Sequence, residues 1–308
     1  SLFKKINNIR EPDASQIRAY LLKTPEFVKW LNAKTDPPKF IKVNLEPAVM
    51  LNKNTPYIDG DLPQLATYQE LASWLNLTQN DLLWFSDIKN LQTKSTQKQL
   101  QHYNYQWLTR PHKTPRLLET PKPCLKSIQR QILSQILDKV TPHHAVHGFR
   151  KGHSCITHAQ QHTNKETLLR MDIQDFFTSI TQKQIYRLFY SLGYPSHIST
   201  VLSALCTNTP NPNMLGNVYQ TLTWQKRKLI IQPHLPQGAP TSPALANLCC
   251  WKLDKRLNGL ARKANITYSR YADDLAFSGG VNLYKSNAYF RKVIEQIVIE
   301  ENFFINHA

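Results

Sequence analysis

The spacing of apolar and polar positions changes several times along the chain, and the changes outline its elements. Residues 15–32 carry apolar side chains at helical spacing, and a proline-containing segment, residues 35–56, follows. Residues 66–86 read as two short helices, with Thr67 and Thr78 placed to cap their first turns. Residues 103–120 alternate and turn as a β-hairpin. Leu125, Ile128, Ile132, Leu133, Ile136 and Leu137 then form the apolar stripe of a helix within residues 122–140. Residues 166–173 are a short apolar strand ending near Asp172, and residues 181–192 and 196–205 predict helices. An Asn- and Pro-rich loop covers residues 208–217. Residues 240–264 predict one long helix, opened by Thr241, Ser242 and Pro243. Residues 266–278 alternate as two strands interrupted by Ala272-Asp273-Asp274.

Composition narrows the function. The chain has 308 residues, 41% of them hydrophobic, which is room for one large domain or two to three subdomains and argues against disorder. No apolar run is long enough to span a bilayer, and Ser1-Leu2-Phe3-Lys4-Lys5 lacks a signal peptide's apolar stretch. The expectation is a cytoplasmic protein with no membrane partner. The five cysteines are scattered without a CxxC pair, so free thiols are expected rather than a disulfide framework. The formal net charge is +17, and residues 91–151 hold eleven Lys or Arg against two acids. A solvated basic surface accounts for some of this. A polyanionic partner accounts for its concentration, because each phosphate contact releases condensed counterions.

Against that charge, the placement of acids stands out. Asp273 and Asp274 adjoin each other inside Arg270-Tyr271-Ala272-Asp273-Asp274-Leu275, an otherwise apolar and aromatic strand context. Desolvating two like charges costs several kcal/mol unless a cation compensates, although an ordinary exposed turn also favours Asp. The stretch from Met171 through Asp172, Ile173, Gln174, Asp175, Phe176 and Phe177 repeats the theme, with acids following an apolar strand. Asp175 or Thr178 there has a second reading as a helix cap. Oxygen-only ligands that converge in space suit Mg²⁺ rather than zinc, and two such ions suit in-line phosphoryl transfer. His158, His162 and Cys155 lack the fourth ligand that a zinc site needs.

A third block, His234-Leu235-Pro236-Gln237-Gly238-Ala239-Pro240-Thr241-Ser242-Pro243, joins a loop to a helix. In the order Asp-Ile-Gln-Asp-Phe-Phe, Leu-Pro-Gln-Gly-Ala-Pro-Thr-Ser-Pro and Tyr-Ala-Asp-Asp, the three motifs resemble those of reverse transcriptases, most closely the bacterial retron type. Residues 121–130 and 147–154 add to the likeness, which runs from about Tyr103 to the end of the chain. Residues 65–87 are similar to the retron N-terminal region.

That resemblance implies an α+β fold: right-hand polymerase fingers and palm, with an antiparallel palm sheet backed by helices. Residues 1–100 would be an N-terminal helical extension, 101–165 the fingers with a basic face, and 166–308 the palm. It makes Asp172, Asp273 and Asp274 the catalytic and metal-binding carboxylates, helped by the Ile173 carbonyl, with two Mg²⁺ ions (Mn²⁺ as a substitute). Arg110, Arg116, Asp175, Phe176, Phe177 and Gln237 fall at nucleotide-binding positions, Phe177 as the gate against a ribose 2′-OH. Lys126, Arg130, Arg150, Lys151 and His162 fall at nucleic-acid-binding positions. The implied partners are dNTPs, a structured non-coding RNA primed from an internal 2′-OH, its branched RNA-DNA product and an effector protein in anti-phage defence. Two departures stand beside this. His158 occupies the position of an Asn in the family's short element before the first catalytic strand. The chain also stops at Ala308, where the family continues into its last palm strands and thumb, so a fragment of a longer protein is expected. The competing readings are a group II intron-like or defence-associated reverse transcriptase, and an RNA- or effector-binding scaffold.

Overall fold

The computed structural model describes residues 14–33, 49–51, 57–111 and 113–307. Residues 1–47 and 48–308 form separate compact units. In the first, the helical pattern is broken into Ala14–Leu22 and Pro25–Ala33. Pro25 explains the break, since its ring removes a donor and disfavours helical backbone at Thr24. Most of the proline-containing segment that follows lies outside the described residues.

The larger unit begins with helices Tyr68–Trp74 and Gln79–Ser86, and Thr67 and Thr78 close full capping boxes with Glu70 and Asp81. Strands β1 (Tyr103–Arg110) and β2 (Lys113–Pro121) form the antiparallel hairpin. Helix Pro123–Gln135 follows and buries Leu125, Ile128 and Ile132. Strand β3 (Thr167–Ile173) alternates as its sequence requires: Leu169, Met171 and Ile173 face the core, while Arg170 is exposed and Asp172 half-buried. With β4 (Thr267–Tyr271), β5 (Asp274–Gly279) and β6 (Ile305–Asn306) it forms a four-stranded antiparallel sheet in the order β4-β5-β3-β6.

Helices Trp251–Lys263 and Val281–Glu300 pack against this sheet. They join helices Gln182–Ser191 and Ser196–Leu205 in one continuous apolar core, in which Ile185, Phe189, Ile198, Leu202, Phe277 and Ile294 are inaccessible. The fold is thus mixed helix and antiparallel sheet, with the helices layered on the sheet. The long helix expected over residues 240–264 is instead two, Ser242–Cys249 and Trp251–Lys263, bent at the fully buried Cys250, where ψ is 1°. The hydrogen-bond path runs through the bend, from Cys250 N to Ala246 O and from Asp254 N to Cys250 O. A further helix, Trp224–Ile230, stands where no periodicity signalled one. Among the described residues, no helix is long and apolar enough to cross a membrane.

Opposite the core, residues 154–162 cover the sheet's other face. Both ring nitrogens of His162 are engaged there, Nδ1 with Ser278 Oγ at 2.7 Å and Nε2 with Ser269 Oγ at 2.6 Å. His143, His147 and His162 all have pKa values lowered to about 4, with burial as the largest cause in each. Such groups resist protonation when folded, so their contribution to stability is complete above the unfolded value of about 6.5 and is lost as pH falls toward 4. Urea unfolding midpoints are therefore expected to fall between pH 7 and pH 5. His162→Gln is expected to flatten that dependence, and an unchanged slope would contradict the assignment.

Candidate active site

The turn between β4 and β5 has only two residues, Ala272 and Asp273, with Tyr271 and Asp274 paired across it. Ala272 sits at φ +56°, the left-handed region that L side chains avoid, so something must hold it there. Four contacts do. The Arg270 guanidinium donates from Nη1 to the Ala272 carbonyl at 2.9 Å. The Arg270 N–H donates to Ala145 O and its carbonyl accepts from His147 N, both at 2.8 Å. Ile173 N donates to Asp273 O at 2.9 Å, tying the turn to β3. Gly148 packs so closely that a Cβ there would lie 2.5 Å from Ala272 N.

The Arg270 side chain is wholly buried and paired with the equally buried Asp254. Its Nε and Nη2 each reach an Asp254 oxygen at 2.8 Å, and the Tyr268 hydroxyl donates to Asp254 Oδ1 at 2.8 Å. Burial alone would lower the Arg270 pKa, but Asp254 outweighs it and raises the value, so the guanidinium is charged. Asn247 completes the network, accepting from Arg270 Nη1 and donating to Gly148 O.

The antiparallel register sets Asp172 of β3 directly opposite Asp274 of β5. Opposed residues project to the same face, so residues a hundred apart in sequence meet there. Asn306 of β6 flanks them and donates to Asp172 Oδ2 at 3.1 Å. Asp273 is half-buried, and its pKa is raised first by burial and then by the charges of Asp172 and Asp274, with Arg116 opposing. A half-buried carboxylate between two others is the environment that a hard divalent cation relieves, and the donors are all oxygen. Asp274 is at present ion-paired with Arg170. Accordingly, among the described residues no three His, Cys, Asp or Glu side chains close around one position. Mg²⁺ does not need such a cage, because substrate phosphates and water complete its shell. The carboxylates fit such an ion if Asp274 exchanges Arg170 for it.

The other anticipated residues are distributed as follows. Arg116, exposed on β2, lies close enough to lower the Asp273 pKa. Arg110 ends β1, and its side chain lies outside the described residues. The Phe177 ring leans on Phe176 (5.5 Å between centroids) and Phe149 (6.1 Å). Asp175, left-handed at φ +47°, makes no capping bond and pairs with Lys226 at 2.9 Å. Gln237 is half-buried, and its carbonyl accepts from Glu119 N at 2.9 Å. Gly238, at φ +133°, presses its bare Cα on the Glu119 carbonyl. Lys126 and Arg130 lie one turn apart on helix Pro123–Gln135. Arg150 donates weakly to the Val146 and His144 carbonyls, and Lys151 is exposed. His162 is occupied by the sheet serines, as described.

Sequence reading missed a second buried pair. Glu119 and His234, both inaccessible, meet at 2.8 Å, and Asn208 Nδ2 donates to Glu119 at 2.8 Å. Burial alone would lower the His234 pKa, but Glu119 raises it overall. The available signal was the alternation of β2, which puts Glu119 on the same face as the buried Leu117.

A family described as "Reverse transcriptase (RNA-dependent DNA polymerase)" matches residues 94–306. Similar curated proteins include the Retron Mx162 reverse transcriptase of Myxococcus xanthus, 35% identical over 219 residues, covering 70% of this chain and 42% of that protein. The Retron Mx65 reverse transcriptase of the same organism is 39% identical, covering 53% of this chain and 37% of its own length. The Retron Ec86 reverse transcriptase of Escherichia coli is 38% identical, covering 54% and 45%. The chain thus spans less than half the length of these relatives.

The Asp254–Arg270 pair yields a direct expectation. Asp254→Ala leaves a buried guanidinium uncompensated and should lower unfolding free energy by about 3–5 kcal/mol. Gly148→Ala, by contrast, disturbs only the turn and should cost about 1–3 kcal/mol. Urea denaturation of both variants measures the difference, and equal losses would contradict it.

Proposed function

The chain belongs to the reverse transcriptase (RNA-dependent DNA polymerase) family, and from that premise we propose that it is the fingers and palm of a retron-type enzyme that copies RNA into DNA. The observation that carries this reading is the register placing Asp172 opposite Asp274, with Asp273 on the turn between them. In this reading the sheet and helices of residues 166–308 are the palm. The hairpin and basic helix of residues 101–165 are the fingers, and residues 1–100 are a helical extension.

Asp172, Asp273 and Asp274, with the Ile173 carbonyl, would hold two divalent ions, Mg²⁺ or Mn²⁺. The chemistry such ions would supply is a lowered pKa for the attacking hydroxyl and compensation of charge on the leaving pyrophosphate. The chain's own side chains do the rest. Arg116 pairs the triphosphate of the dNTP with its planar fork. Phe177, braced by Phe149 and Phe176, excludes a 2′-OH by contact. Gln237 lines the sugar and base side of the pocket, and Arg170, which pairs with Asp274, would have to release it for that carboxylate to hold an ion. Lys126, Arg130 and Lys151 supply phosphate contacts.

Similarity to the retron reverse transcriptases supports a structured non-coding RNA as template, priming from an internal 2′-OH and a branched RNA-DNA product. We extend the reading to a role in anti-phage defence with an effector protein, in the cytoplasm.

Incorporation of a labelled dNTP on an annealed RNA template and DNA primer tests the reading. Asp273→Ala/Asp274→Ala should reduce it by about 10³-fold or more, the scale of losing a preorganised charge-stabilising group. Incorporation left intact by that double change would sink the proposal. Phe177→Ala should retain dNTP incorporation and relax discrimination against ribonucleotides by roughly tenfold or more.

A further inference from the structure

Between Asp175 and Asp254 the chain contains no Asp or Glu. Within this acid-free stretch, helix Gln182–Ser191 buries Ile185 and Phe189 and turns Lys183, Tyr186, Arg187 and Tyr190 outward. These four fall at i, i+3, i+4 and i+7, so they form one stripe along the helix. Lys183, Arg187 and Tyr190 are exposed. Neither cation has an ion-pair partner among the described residues. The Tyr186 and Tyr190 rings lie nearly parallel, 13° apart with centroids at 6.0 Å, and Tyr190 is 53% exposed. The Tyr190 ring thus combines a parallel neighbour with exposure to solvent beside two unpaired cations.

The stripe borders a cavity of about 400 Å³, whose rim includes Lys183 and Tyr186. This volume falls within the usual range for small-ligand pockets. The lining is mixed: Phe85, Leu125 and Pro233 supply apolar wall, and Thr207 and Asn208 supply polar groups. Its one acid, Asp87, is committed to the backbone N–H groups of Leu91 and Gln92 at 2.7 and 3.1 Å. Burial, opposed by the Trp84 carbonyl, lowers the pKa of the lining residue His102. The interior therefore suits a neutral, planar, hydrogen-bonding group, and Lys183 in its lining, with Arg187 one turn along the helix, suits phosphates.

We propose that this stripe and cavity are a docking track for a single-stranded segment of RNA, with bases stacked on Tyr186 and Tyr190, phosphates on Lys183 and Arg187, and one unpaired base in the cavity. The occupant's being RNA rests on the polymerase reading above. Stacking is sequence-tolerant and works only on unpaired bases, so the track distinguishes single strands from duplex. It lies on a different helix from every residue assigned to the carboxylate site.

Fluorescence anisotropy with a labelled, unstructured 20-nucleotide RNA, in EDTA, tests the track without chemistry. Tyr186→Ala/Tyr190→Ala should weaken binding by about tenfold or more, the scale of losing stacking on one or two bases. Lys183→Ala/Arg187→Ala should reduce the slope of log affinity against log salt by about 1.4. Blunt duplex RNA should lose little affinity in the tyrosine variant. Unchanged single-strand binding, or an equal loss for duplex, overturns the proposal. Tighter stripe-dependent binding of DNA of the same sequence would assign the track to product and overturn it as well. Crosslinking with 4-thiouridine RNA should label peptides of the cavity wall around Phe85 and Thr207, and labelling confined elsewhere would overturn the base pocket. Incorporation by the unaltered chain is measured in parallel. Its absence, with stripe-dependent RNA binding retained, counts against the polymerase reading while the track stands on its own binding data.

Discussion

The Arg270–Asp254 pair is the interaction on which the geometry of the carboxylate turn depends. A guanidinium with no exposure is tolerable only if its charge and its donors are all met. Asp254 takes two of the guanidinium's five N–H donors, Asn247 and the Ala272 carbonyl take two more, and Tyr268 fills a further position on Asp254. The consequence is local. Ala272 is held in a left-handed conformation that no local preference of alanine would choose, and Asp273 next to it is held in place. A wholly apolar substitute could pack as well, but it could not reach across to a turn carbonyl.

The Glu119–His234 pair does the corresponding work at the other motif. It joins the β1–β2 hairpin to the loop carrying Gln237, and the Glu119 N–H and carbonyl contact Gln237 and Gly238 directly. The protein thus places its buried charges at two junctions: one under the carboxylate turn, one under the loop carrying Gln237. Outside these junctions the charge is mostly positive and solvated. That division follows from the cost of burial: charge is kept inside only where it fixes a backbone that apolar packing leaves free.

Much of the fold was legible in the chain because local periodicity decides it. The capping threonines at 67 and 78, the hairpin at 103–121 and the strands around Asp172 and Asp273 formed where their patterns placed them. The three motifs with Asp172, Gln237 and Asp273-Asp274 identified the family because their order and residue types are specific in combination. The bend at Cys250 and the helix Trp224–Ile230 were not legible, since the first depends on what surrounds a buried residue and the second lacks an apolar stripe.

By itself, then, the sequence determined most of the elements, the excess of positive charge and the family. Only the tertiary structure decided how those acids are supported. That Arg270 turns inward to Asp254, that Glu119 finds His234, that Arg170 holds Asp274 and that Asp175 goes to Lys226 are pairings between distant residues. Their energies depend on burial and on which charge is nearest, and neither quantity exists until the chain has folded.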